Sequence, residues 1–143
     1  MSNEMHDLIK YADERGFFAE LWRESWSWRF PAKQVSHSMM YTGVVKAWHW
    51  HIFQRDLWYV VSGVLKLVTY HPATGELWEQ IMSPERMRVA LIPPTVWHGC
   101  KVLQGPCHLI YLTDQEYNPE DEHREPHDVD PPGYDWLKGA PIT

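Results

Sequence analysis

Between Gly43 and Gly63 the chain reads G-x5-H-x-H-x4-D-x6-G, which groups His49, His51 and Asp56 on one short stretch. A third histidine, His98, follows the run Pro93-Pro94-Thr95-Val96-Trp97. Side chains alternate between the faces of a strand, so His49 and His51 project together. Asp56 follows after a short turn, at the start of the paired strand. Two readings fit these residue types. Three neutral imidazoles and a carboxylate suit a first-row divalent ion (Zn, Fe, Mn or Ni) with positions left open for water or substrate. The metal reading takes His49, His51, Asp56 and His98 as ligands. The alternative is a metal-free pocket in which the histidines are hydrogen-bonded lining residues.

For His98 to reach the earlier pair, the intervening chain must fold back as strands. From Val35 onward, short apolar runs split by turn signals give the pattern of an all-β sandwich or barrel. Val44 to Phe53 reads as one strand. Leu57 to Val61 and Val64 to Tyr70 flank Ser62-Gly63, a tight-turn signature. Pro72-Ala73-Thr74-Gly75 ends that run, and Leu77 to Met82 follows. Arg88 to Ile92 leads to the break at Pro93-Pro94, with further strands around Cys100 to Leu103 and Cys107 to Thr113. One short helix is expected over Asn3 to Ala12, capped by Ser2 or Asn3. The segment from Asn118 to Trp136, with four prolines, should run extended over the surface, pinned by Tyr134 and Trp136. Trp48 and Trp50 should pack on the face opposite His49.

The chain has 143 residues, 44% hydrophobic and 14% aromatic, enough to bury a core and too apolar for disorder. A net charge of -6 and the lack of a basic cluster argue against nucleic acid as a partner. The acidic residues Glu116, Glu120, Asp121, Glu122, Glu125, Asp128 and Asp130 read as a solvated tail. No apolar run is long enough to span a bilayer, and the opening residues carry no signal-peptide pattern. Two cysteines, Cys100 and Cys107, do not make a disulfide framework, and reduced thiols in a cytoplasmic protein are expected.

The two-part histidine pattern resembles the cupin signature, which implies a double-stranded β-helix, or jelly-roll barrel, over residues 1–143 as one domain. Four further blocks narrow the resemblance. Asp13-Glu14-Arg15-Gly16-Phe17-Phe18-Ala19-Glu20 resembles the D-x-R-G-x-F-x-E opening of the dTDP-4-dehydrorhamnose 3,5-epimerases. QVSHSMMYTGVVKAWHWH, from Gln34 to His51, is similar to that family's Q-D-N-H-S-x-S-x-x-G-V-L-R-G-L-H-Y-Q. LIPPTVWHG, from Leu91 to Gly99, resembles I-P-P-G-x-A-H-G-F. YLTDQEYNPEDE, from Tyr111 to Glu122, resembles Y-K-x-T-D-x-Y-x-P-x-x-E.

That resemblance implies an epimerase or isomerase acting beside the keto group of a nucleoside-diphosphate 4-keto-6-deoxyhexose, with no cofactor required. By position, His49 matches the family's base and Tyr111 its general acid. Arg15, Phe18, Glu20 and Gln34 match nucleotide-holding residues, with 1–34 at a homodimer interface and 118–143 as an extended tail. Lys46 stands where an arginine lies near the diphosphate. Ser38, His51, His98 and Tyr117 complete the expected substrate contacts, and His37 lies in the same block. The departures are specific. Asp56 replaces a lysine, His51 a glutamine and Thr95 a glycine, and no residue matches the aspartate that partners the family's catalytic histidine. The dTDP-sugar 3,4-ketoisomerases share the G-x-H-x-H spacing but fewer of the other blocks. A metal-dependent cupin isomerase or dioxygenase, and a non-catalytic nucleotide-sugar-binding cupin, are the alternatives.

Overall fold

A computed structural model of the chain describes residues 3–26 and 28–139. Its strands are β1 (Glu4–Asp7), β2 (Tyr11–Asp13), β3 (Gly16–Phe18), β4 (Gln34–Met40), β5 (Val45–Trp50), β6 (Asp56–His71), β7 (Glu76–Met82), β8 (Arg88–Ile92), β9 (Trp97–Thr113) and β10 (His123–Arg124). β6 and β9 are long and pair antiparallel along their whole length, from Asp56 opposite Thr113 to Tyr70 opposite Trp97. Each bends midway and so takes part in two layers. The first half of β6 pairs with β8 and with the second half of β9, to which β4 adds; β1 extends this layer beyond β8. The second half of β6 pairs with β7 and the first half of β9, and β5 and β10 complete the other layer. The result is the all-β, double-layered jelly-roll barrel expected from the sequence.

Alternation explains which side chains face inward. β4 shows a strict alternation of exposed and less exposed residues, as a half-buried strand should. The main core gathers Met40, Trp58, Val60, Leu65, Leu67, Met82, Ala90, Ile92 and Val102 between the layers. On the outer face, Trp48 packs with Val68, Tyr70 and Trp136, as its parity on β5 demands. The tail is pinned as expected. Trp136 is buried, its indole N–H donates to the His127 carbonyl at 3.1 Å, and Lys101 Nζ donates to the Trp136 carbonyl at 2.7 Å.

Two expectations need correction. No α-helix forms over Asn3 to Ala12; β1 and β2 occupy that stretch, and the only helical element among the described residues is the 3-10 turn Pro119–Asp121. Ser2, one expected cap, lies outside the described residues. A segment this short is marginal as a helix by itself, whereas the open edge of β8 offers a full ladder from Glu4–Leu91 to Asp7–Arg88. Ser62-Gly63 is also not a hairpin turn. β6 runs straight through it, with register shifts against β9 on both sides of Ser62, so the glycine marks a bulge that bends the strand from one layer into the other.

At Gly63 the backbone has a φ of +86°, and a Cβ there would sit 2.7 Å from the Gln104 carbonyl oxygen and 2.8 Å from the Cys107 Cα. Gly75 has a φ of +78° but open space around it. Gly63→Ala should therefore lose about 2 kcal/mol or more, and Gly75→Ala only about 1 kcal/mol. Urea midpoints at unchanged m-value will show the order.

Candidate active site

The interior opens into a cavity of about 250 Å³ lined from both layers. β4 contributes Gln34 and Ser38, β5 contributes Lys46 and His49, and the start of β6 contributes Asp56 and Trp58. β9 contributes His98 and Cys100 from its first half, and Leu109, Tyr111 and Thr113 from its second. His51 and Gln54 enter from the loop after β5, and Tyr117, Asn118 and Glu122 from the segment after β9. His49 pairs with His98 in one layer, and Tyr111 pairs with Trp58 and Ser36 in the other. The imidazole at 49 and the phenol at 111 thus enter one cavity from facing walls.

Lys46 and His49 differ in parity, so a regular strand would put them on opposite faces. A register shift between them resolves the conflict and turns both to the cavity. His98 is buried, with its ring 6.2 Å from that of His49 and 5.7 Å from that of His51. Burial holds its pKa down at about 4, against the pull of the Asp56 carboxylate 3.9 Å away. His49 is also held below the ordinary imidazole value, chiefly by burial and then by the Arg124 guanidinium, with Glu122 acting in the opposite sense. Both rings are neutral at pH 7. The Cys100 and Cys107 thiols are free and buried, and burial raises both pKa values.

Of the residues anticipated from sequence, Gln34, Ser38, Lys46, His49, His51, Asp56, His98, Tyr111 and Tyr117 meet at this cavity. Arg15, Phe18 and Glu20 do not line it. Arg15 and Phe18 belong to the β2–β3 hairpin, a separate two-stranded sheet, where Arg15 pairs with Asp13 and Phe18 is 62% exposed. His37 faces outward and contacts His108 at 2.9 Å, away from the cavity. Trp50 stacks on His123, as a residue pointing away from the site should. The proposed four-ligand metal set does not assemble as a whole: His51, Asp56 and His98 converge, and His49 stands outside that group.

The acidic segment is not a solvated tail at its centre. The Asp121 side chain is buried and accepts from three consecutive backbone amides, Ile52 at 2.7 Å, Phe53 at 3.2 Å and Gln54 at 3.3 Å. Its own carbonyl accepts from His51 Nδ1 at 2.7 Å. Glu122 lines the cavity, accepts from the Tyr117 hydroxyl and the Arg124 guanidinium, and is held below the usual carboxylate range chiefly by that guanidinium. The signal for this was local: Asn118-Pro119-Glu120-Asp121 is a capped turn, with the Asn118 side chain accepting from the Glu120 amide. A second tie comes from Thr95, whose amide donates to the His51 carbonyl at 2.6 Å while its backbone holds a φ of +68°. Thr95 therefore keeps the left-handed geometry that a glycine would adopt more easily.

The chain is thus a jelly-roll barrel of the cupin type whose interior presents imidazoles, a tyrosine, a lysine and carboxylates. Residues 5–141 match the family model described as dTDP-4-dehydrorhamnose 3,5-epimerase. The chain belongs to that family, a class of sugar epimerases and isomerases. It is 39% identical over 137 residues to the spore coat polysaccharide biosynthesis protein SpsL of Bacillus subtilis, covering 90% of this chain and 91% of that one. It is 35% identical over 143 residues to the probable low-salt glycan biosynthesis epimerase Agl13 of Haloferax volcanii, covering 93% and 92%. Among solved structures, the dTDP-6-deoxy-D-glucose-3,5-epimerase RmlC of Legionella pneumophila, in complex with dTDP-4-keto-L-rhamnose, superposes with a TM-score of 0.83 at 27% identity. That match covers 99% of this chain and 81% of that one.

Asp121→Ala should lose about 2–3 kcal/mol, because three backbone amides lose a charged acceptor at once. Chemical denaturation will measure this. The turn that carries His51 and Gln54 should lose amide-exchange protection more than the β6–β9 ladder does, which hydrogen exchange will read.

Proposed function

We propose that the protein epimerises or isomerises a nucleoside-diphosphate 4-keto-6-deoxyhexose by moving a proton next to the keto group, with His49 as base and Tyr111 as acid. Its support is the entry of these two side chains from facing layers of the barrel into one cavity. Removal of a C–H proton beside a ketone leaves an enolate, and inversion requires a new proton from the opposite side. A base and an acid on facing walls meet that requirement. Neutral His49 has its lone pair available at pH 7. Lys46 supplies positive charge near the diphosphate. Gln34, Ser38 and Tyr117 make contacts toward the nucleotide and sugar, while His51 and His98 contact the sugar ring. No cofactor is needed for this proton transfer. Glu122 gives His49 the carboxylate neighbour that sequence matching lacked, and its charge favours the imidazolium formed on proton abstraction.

In this reading residues 1–143 form one domain that works as a homodimer, with the 1–34 segment at the interface and 118–143 as a tail. The β2–β3 hairpin supports it. Tyr11, Phe17 and Phe18 are exposed together there, and an exposed aromatic cluster is suited to contact with a second copy. Arg15, Phe18 and Glu20 then contribute to the partner's nucleotide site. Two free buried thiols accord with a reducing compartment such as the cytoplasm. Among the described residues no helix is long and apolar enough to cross a membrane.

Incubation of a dTDP-4-keto-6-deoxyglucose substrate in D2O should place deuterium at C3 or C5. His49→Asn should slow that exchange by about 100-fold or more; an unchanged rate would remove His49 from the role of base. Absence of exchange together with tight dTDP binding would point instead to a non-catalytic binder. The pH profile has a definite sign. The base must be unprotonated and burial holds its pKa below the ordinary imidazole value, so kcat/KM should hold at neutral pH and decline only at a pH lower than a free imidazole would dictate. Light scattering should give the mass of a dimer, and Phe17→Ser with Phe18→Ser should shift it toward a monomer.

A further inference from the structure

We infer that the sugar bound in this cavity carries a protonated amino group, which His51, Asp56 and His98 hold as three acceptors. One polar atom from each of the three residues lies within 4.8 Å of the others, and His98 Nε2 stands 3.9 Å from Asp56 Oδ2. Acceptors set tetrahedrally about an ammonium nitrogen at about 2.7–2.9 Å lie about 4.4–4.7 Å apart. One such nitrogen fits this spacing.

This wall of the cavity accepts and does not donate. His51 Nδ1 faces the Asp121 carbonyl at 2.7 Å, and His98 Nδ1 faces the Val96 carbonyl at 3.4 Å. A carbonyl only accepts, so Nδ1 carries the proton in each ring and Nε2 presents a lone pair. Burial keeps the His98 ring neutral, so no second N–H replaces that lone pair. Gln54 Nε2 donates to Asp56 Oδ1 at 2.8 Å, which fixes the amide with its nitrogen 3.4 Å from His51 Nε2. Trp58 Nε1 donates to Asp56 Oδ2 at 3.1 Å.

The wall also holds a buried charge without an opposite one. Asp56 is 5% exposed, and among the described residues no lysine or arginine lies within ion-pair distance of it. Each of its oxygens meets one neutral donor and keeps a further lone pair. A buried carboxylate without a counter-charge is costly. An ammonium group brings that charge and three N–H donors together. A hydroxyl brings one donor and no charge, and a keto oxygen brings neither.

The inference deepens the proposed function, on which it rests for the ketone and the deoxy carbon. In a nucleoside-diphosphate 4-keto-6-deoxyhexose, C1 carries the diphosphate, C4 the ketone and C5 the ring oxygen, and C6 is a methyl. The amine therefore stands at C2 or C3. The His98 ring lies 6.2 Å from that of His49, so the amine binds on the side of the base. A wall of acceptors also turns the keto oxygen away from itself, which fixes how the ring lies.

The test uses the full-length protein at pH 7 in buffer containing EDTA. The probes are three dTDP-linked 4-keto-6-deoxyhexoses, one with hydroxyls only, one with an amine at C2 and one with an amine at C3. Calorimetry measures affinity, and D2O incubation measures exchange. One of the two amino sugars should bind tighter than the hydroxylated sugar by about 30-fold or more. Its N-acetyl derivative, which keeps the position and loses the charge, should lose that advantage; this comparison needs no variant. Asp56→Asn should bring the two affinities to within about threefold of each other, with binding of dTDP alone reporting a folded variant. Equal or weaker binding of both amines, an advantage kept on N-acetylation, or an unchanged ratio in Asp56→Asn would each overturn the amine site. Preferred binding of an amine with no exchange from any sugar would uphold the site and count against the epimerase reading. Exchange from the hydroxylated sugar with no preference for either amine would do the reverse.

Discussion

The pairing of β6 with β9 governs the molecule. Both strands cross from one layer to the other, and each inner-facing residue is set by the register between them. Because side-chain direction alternates along a strand, a slip of one residue would turn Asp56, Trp58, His98 and Tyr111 out of the cavity together. The bulge at Gly63 lets the two strands bend at one place and confines the shift of register to the stretch between Val60 and Leu65. Chemistry on facing walls is therefore a consequence of two strands each serving two sheets. It requires no separate device to bring the imidazole at 49 opposite the phenol at 111.

A second set of contacts fixes what the sheets alone cannot. The loop after β5 carries His51 and Gln54, and it has no ladder partner of its own. Asp121 replaces that ladder with three charge-assisted hydrogen bonds from one side chain, and Thr95 adds another from the opposite loop. Burial then tunes the groups so held. His49 and His98 are kept neutral by desolvation, while Glu122 and Arg124 set opposing fields at His49. Rigid placement and burial act together, since a hydrogen bond or charge away from water has more effect than one in it.

Much of this was legible in the chain. Alternation placed His49 with His51 and turned Trp48 away, and β7 and β8 fell close to the apolar runs that marked them. Apart from His37, the residues drawn from family resemblance lie at the cavity when they belong to the barrel, and outside it when they belong to the segment before β4. The failures have a common cause in contacts distant in sequence. The helical reading of Asn3 to Ala12 could not include the open edge of β8. Ser62-Gly63 looked like a hairpin because a bulge and a turn use the same residue types. Asp121 looked solvated because charge in a proline-rich segment usually is, and its amide partners lie far earlier in the chain. The parity conflict between Lys46 and His49 is likewise invisible without the register shift.

Gly99, the residue after His98, sits against the aromatic cluster on the outer face. A Cβ there would lie 2.8 Å from the Ala47 side chain and 2.9 Å from the Trp136 indole. The indole thus occupies the volume that a side chain at 99 would need. Positions 99 and 136 fit as a lock and its key. Because the Ala47 methyl stands as near as the indole, a residue larger than glycine after this histidine needs both to give way, which ties the histidine's immediate surroundings to a tail far from it in the chain.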